Sequence, residues 1–150
     1  MSTIRNKKSF EFENKTYTIS EPVLTDLNQF IAEMSALVFK NAAICAKAVV
    51  DVDPEYAREI KDKALRYVDT IKVGSDSFDE QVMTVDGMMY LSFLMLRDNH
   101  PDMNLSTVRK FIDKYPEFLK MVIDIAGFKK TEITDTSNSE SDPNAIAPQK

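Results

Sequence analysis

The stretch from Val82 to Leu96 limits what this chain can fold into more than any other. Val82, Met83, Val85, Met88, Met89, Tyr90, Leu91, Phe93, Leu94, Met95 and Leu96 put apolar side chains almost all round a helix, and between Met88 and Leu96 only Ser92 interrupts them. A helix without a polar face has to be surrounded, either by its own chain or by a partner. The run is too short to cross a bilayer, which takes about 20 helical residues. Ser77-Phe78-Asp79-Glu80 matches the Ser-x-x-Glu capping box, so the helix is predicted to start there and to end at Arg97-Asp98-Asn99-His100, before Pro101.

The rest of the chain supplies the wrapping. Leu24, Leu27, Ile31, Met34 and Val38 recur at spacings of three and four, with Asp26, Gln29, Glu33 and Lys40 away from them. Ser20-Glu21-Pro22 offers a start for that helix, and Ala42, Ala43, Ile44, Ala46 and Ala48 carry it to Val50, as one long helix or two collinear ones. Asp53-Pro54 restarts the pattern for a surface helix with Ala57, Ile60, Ala64, Val68 and Ile71 inward, stopped near Gly74. Beyond Pro101, Asn104 or Ser106 can cap a helix bearing Val108, Phe111, Ile112 and Tyr115. Pro116 breaks it, and Phe118, Leu119, Val122, Ile123 and Ala126 continue to Gly127.

Ahead of the helices, Phe10 and Phe12 alternate with Glu11 and Glu13, and Tyr17 and Ile19 keep the period, which predicts a β-hairpin. With Asn14 and Lys15 in the turn, Phe12 faces Tyr17 and Phe10 faces Ile19, all four on one side. A lone hairpin is marginal in water, so that side is expected to rest on helices.

The predicted fold class is therefore mainly α: a compact bundle of about four to six helices with a small N-terminal β-hairpin and a disordered C-terminal tail. Residues 1–8 are expected to form a flexible N-terminal arm and 9–128 the domain. In 129–150 the composition turns to Ser, Thr, Asn, Asp and Pro, which bury too little surface to offset ordering entropy.

Composition narrows function chiefly by exclusion. With 19 Lys and Arg against 24 acids the net charge is -5, the wrong balance for a protein that coats nucleic acid. One Cys and one His rule out an internal disulfide, a cysteine-built zinc site and paired-histidine motifs. GxxxxGK[ST] and GxGxxG are both absent. Cys45 among alanines reads as a buried core thiol, and His100 as an imidazole at a helix C-terminus. Asp98, His100 and Asp102 fit no metal-ligand spacing, and Asp76, Asp79 and Glu80 lack the Gly and distal Glu of a calcium loop. Arg5, Lys7 and Lys8 are read as solvated. The expectation is a non-enzyme with no cofactor and no metal, not bound to membrane or nucleic acid.

A binding surface is what remains. Met83, Met88, Met89 and Met95 hold half of the 8 methionines in one segment. Methionine suits surfaces that accept varied apolar partners, and it equally fills irregular cores. On the first reading Met88, Met89, Phe93 and Met95 are the protein-binding residues, for a client or a second copy of the chain.

The order of parts resembles a known family. The hairpin FEFENKTYTI, the helix beginning EPVLTDLNQFIAEM, the apolar helix and His-Pro turn of DGMMYLSFLMLRDNHPDMNLSTVRKFID, and PEFLKMVIDIAG before a low-complexity tail resemble the tail assembly chaperones of long-tailed bacteriophages, over about residues 9–128. The resemblance implies a protein of the host cytoplasm that binds the tape measure protein, keeps it soluble and helps recruit tail tube subunits. Two alternatives belong to other classes. One is a structural virion component such as a head–tail connector or neck subunit. The other is a helical nucleic-acid-binding regulator using Arg109, Lys110 and Lys114.

Overall fold

The computed structural model describes residues 4–127. Two strands, β1 (Lys7–Phe12) and β2 (Lys15–Ser20), precede six helices: α1 (Leu24–Val49), α2 (Pro54–Thr70), α3 (Asp76–Val82), α4 (Val85–Arg97), α5 (Leu105–Lys114) and α6 (Phe118–Ala126). The fold is mainly helical with an N-terminal antiparallel hairpin, as the hydropathy pattern predicts. The predicted tail, 129–150, lies outside the described residues.

α4 is the hub. Leu91, Leu94, Met95 and Leu96 are fully buried, and the helix packs against α1, α3, α5 and β2. Each such side chain contributes about 1.5–3 kcal/mol on leaving water, which explains why the least polar segment takes the centre. The predicted single helix is nonetheless two. Ser75, not Ser77, caps α3, accepting the Phe78 N–H at 3.1 Å. The chain then breaks at Met83-Thr84, and the Thr84 hydroxyl accepts the Gly87 N–H at 2.9 Å to start α4. Gly87 is required there, because a Cβ would lie 1.7 Å from the Gln81 carbonyl oxygen.

The hairpin forms with the expected four residues on one face, but in another register. Glu13 and Asn14 occupy the turn with φ of 50° and 63°, the positive values of a type I′ turn, so Phe10 pairs with Tyr17 and Phe12 with Lys15. A slip of two residues preserves which side each residue faces, so the alternation alone could not choose between the registers. Phe10 and Tyr17 then join Phe111, Tyr115 and Phe118 of the last two helices in an aromatic cluster with ring centroids 4.7–5.7 Å apart.

Several predicted boundaries shift for local reasons. Ser20 does not start α1; it ends β2, buried, with its hydroxyl accepting from Asn99 Nδ2 at 2.7 Å. The helix starts at Leu24, where the Asp26 carboxylate accepts the Val23 N–H at 3.0 Å. Asp26, expected on the polar side, is buried and ion-paired to Arg97 at 3.0 Å and Arg5 at 3.5 Å. That rotates the inward stripe of α1 onto Phe30 and Met34 and leaves Leu24 exposed. Arg5 also donates to the Glu21 carbonyl at 2.8 and 2.6 Å and pairs with Asp98 at 2.6 Å. The segment predicted as a free arm is thus pinned at Arg5, and Lys7 and Lys8 already belong to β1. Asp53 and Asn104 cap α2 and α5 as predicted, and Gly127, with φ of 68°, ends α6.

Candidate interaction surfaces

The methionine set divides between core and surface. Met95 is 0% exposed and Met88 6%, so both are occupied by this chain's own packing. Met89 and Phe93 are half-buried against the same core. Met83, at the α3–α4 break, is the methionine of this group that lies in solvent, beside exposed Val85. Apart from Val85 at its start, α4 therefore presents its Met89/Phe93 edge, with Tyr90 next to it accepting from Gln29 Nε2 at 3.1 Å.

A larger apolar display lies elsewhere. α1 has 26 residues, so it is about 39 Å long at 1.5 Å per residue. Yet its members in the central core are Leu27, Phe30, Ile31 and Met34, and those of α2 are Tyr67 and Val68. No residue between 35 and 66 belongs to that core. The far half of α1 and the near half of α2 pack on each other alone, as a two-helix spur. Ala46 (1% exposed) and Ala57 (4%) are buried there by the opposing helix, small side chains letting the two backbones come close. The rest of the spur keeps large apolar groups in solvent: Phe39, Ile44, Val50, Val52, Tyr56 and Leu65.

The spur also corrects the reading of Cys45. The thiol is exposed, because the side of α1 that would have buried it has passed the end of the body. The alanine-rich surroundings looked like core; they are the signature of a tight helix pair with solvent on its outer sides. The sequence carried a usable signal, since large apolar residues recur on more than one side of this segment without a second helix in the chain to cover them.

The polar candidates do not converge. His100 Nε2 accepts the Thr18 N–H at 2.8 Å, which places its remaining proton on Nδ1 and makes the ring a strut between β2 and the α4–α5 turn. Burial, and after it the Lys15 ammonium, push the imidazole below its ordinary range. Asn99 braces the same junction, donating to Thr18 O at 3.3 Å and to Ser20. An open cleft of about 270 Å³ lies beside it, lined by Lys15, Tyr17, His100, Asp102, Met103 and Thr107 among others. Asp98, predicted to fit no metal motif, is paired with Arg5, and among the described residues no group of three or more His, Cys, Asp or Glu side chains is placed to hold a metal ion. Cys45 and His100 sit on separate elements, one on the spur and one against the hairpin.

On α5, Arg109, Lys110 and Lys114 are exposed while Phe111 is buried, and Arg109 lies 3.9 Å from Asp113. Among the described residues no helix is long and apolar enough to cross a membrane. Comparison of the chain with protein-family models, curated proteins and solved structures found no match.

Proposed function

We propose that this protein is a non-enzymatic tail assembly chaperone of the kind made by long-tailed bacteriophages, acting in the host cytoplasm. On this reading it binds the tape measure protein through apolar helical surface and helps bring tail tube subunits to it. The observation that carries the reading is the spur: a pair of helices held outside the core, with Phe39, Ile44, Val50, Tyr56 and Leu65 in solvent. Exposed apolar area of this kind is costly to keep soluble and marks a surface that a partner covers. Two helices side by side are also a natural platform for a third, since an apolar helix face laid along them completes a bundle. The net charge of -5 keeps such a protein soluble before its client arrives.

The test is co-expression with a long, helix-rich gene product encoded beside it. The chaperone reading expects that product to move into the soluble fraction and to co-purify with this chain. It also expects finished particles to lack the chain. If the long product stays insoluble, the reading falls; if the chain is retained in purified virions, a structural subunit takes its place.

A further inference from the structure

The two edges of the hairpin are not alike. In an antiparallel pair the backbone groups of each strand point alternately toward the neighbour and away from it. On β2 the outward groups are used: Thr18 donates its N–H to His100 Nε2 at 2.8 Å, and its carbonyl accepts from Asn99 Nδ2 at 3.3 Å. Thr18 is thus turned out of the ladder, and so is Ser9, which faces it. The Glu21 N–H reaches the Asn6 carbonyl at 2.8 Å, which gives the same parity: even-numbered residues of β1 bond to β2. The outward residues of β1 are therefore Lys7, Ser9 and Glu11, and all three are exposed. Among the described residues nothing hydrogen-bonds to their backbone N–H and C=O groups. Their side chains share the solvent face of the hairpin, where Ser9 Oγ lies 2.9 Å from Thr18 Oγ1. α6 covers the other face, with Phe118 against Phe10. A row of unmade backbone bonds of this kind is a template for a further strand.

The charges on the edge say which strand fits. Lysine on a free edge ordinarily keeps strands apart. Here a second β1, turned antiparallel about Ser9, sets Lys7 opposite Glu11 of the copy and Glu11 opposite its Lys7. In that register Ser9 meets Ser9, and every outward N–H and C=O of Lys7, Ser9 and Glu11 has an outward partner. Centring the pair on Lys7 or on Glu11 instead puts like charges face to face, and a parallel in-register pair lines lysine beside lysine. We propose that β1 is a self-pairing edge, through which two copies of the chain join antiparallel into one four-stranded sheet with its two-fold axis at Ser9. The contact is one short strand a side, so the dimer is weak and forms as concentration rises. It does not depend on the chaperone reading.

Sedimentation velocity of the full chain, from about 10 µM to about 1 mM, is expected to show monomer passing into dimer. Over the same range the amides of Lys7, Ser9 and Glu11 are expected to gain protection from hydrogen exchange. Glu11→Lys is expected to raise the dimer Kd by roughly tenfold or more, because each copy then sets Lys7 against a lysine, and Lys7→Glu does the same with acids. Combining Lys7→Glu with Glu11→Lys is expected to restore the native Kd. Ser9→Pro removes an outward N–H and no bond to β2, so it is expected to abolish the dimer with the near-ultraviolet circular dichroism unchanged. In a Cys45→Ser background, Ser9→Cys is expected to give a disulfide-linked dimer under mild oxidation, since facing residues of such a pair have Cα atoms about 5.5 Å apart. Should Ser9→Pro misfold, the charge exchange decides. A chain that stays monomeric throughout overturns the proposal. So does a dimer indifferent to the single charge reversals, or one that the exchange does not restore, and its interface then lies on another surface. If co-expression fails while the exchange restores the dimer, the chaperone reading falls and the paired edge stands.

Discussion

Within α4, two methionines six residues apart in the chain have different roles, and substitution separates them. Met95→Asp puts a carboxylate where no solvent reaches and is expected to cost more than about 3 kcal/mol, read as loss of the cooperative thermal transition. Met89→Asp lies at the half-buried edge and is expected to cost roughly 1 kcal/mol or less, leaving the fold intact by circular dichroism while weakening client capture. His100 gives a pH signature. Its folded-state pKa lies below the ordinary 6.5, because burial and Lys15 disfavour the imidazolium and because Nε2 must stay unprotonated to accept from Thr18. The unfolded chain therefore takes up the proton first as pH falls. The stabilisation is complete above about pH 6.5 and is lost as pH drops through the lowered folded value. Denaturant midpoints measured from about pH 7 down to pH 5 should fall in the native chain and fall less in His100→Gln.

The hairpin, the α3–α4 break and the spur are each set by a few backbone decisions. Glu13 in the left-handed region is the least comfortable of these, since a side chain with Cβ costs about 1–2 kcal/mol there and Asn costs less. Glu13→Asn is expected to raise stability by up to about 1 kcal/mol, visible as a higher thermal midpoint. Gain at this position together with none at Lys15→Asn would establish the Glu13-Asn14 turn against its alternative one residue on. The same element shows the limit of pattern reading. Alternation identified the inward residues Phe10, Phe12, Tyr17 and Ile19, but the turn was settled by how the strands meet Phe111 and Phe118, which lie about 100 residues away in the chain.

For the molecule as a whole, the division of labour is between a core built on α4 and a spur that the core does not need. Replacing residues 39–64 by a short turn is expected to preserve the near-ultraviolet circular dichroism of the aromatic cluster and a cooperative transition, because no core residue is removed. The same variant is expected to lose solubilisation of a co-expressed client. Loss of the core signal on excision would show that the spur is part of the folding unit.

Much of this was legible in the residues taken in order. The apolar run at Met88–Leu96 dictated a surrounded helix, Asp53-Pro54 and Asn104 set helix starts, Pro116 and Gly127 set helix ends, and alternation set the hairpin face. Each of these depends on groups a few residues apart, where spacing and capping chemistry suffice. What the tertiary structure alone decided is which apolar residues go without cover. Met88 and Met95 were candidates for a partner and became core, and Cys45 was a candidate for the core and became surface. Asp26 moved inward because Arg5 and Arg97, far from it in the chain, arrive to pair with it. Burial is a property of neighbours contributed by distant segments, and periodicity along one helix records which side is apolar without recording where along its length the neighbours stop.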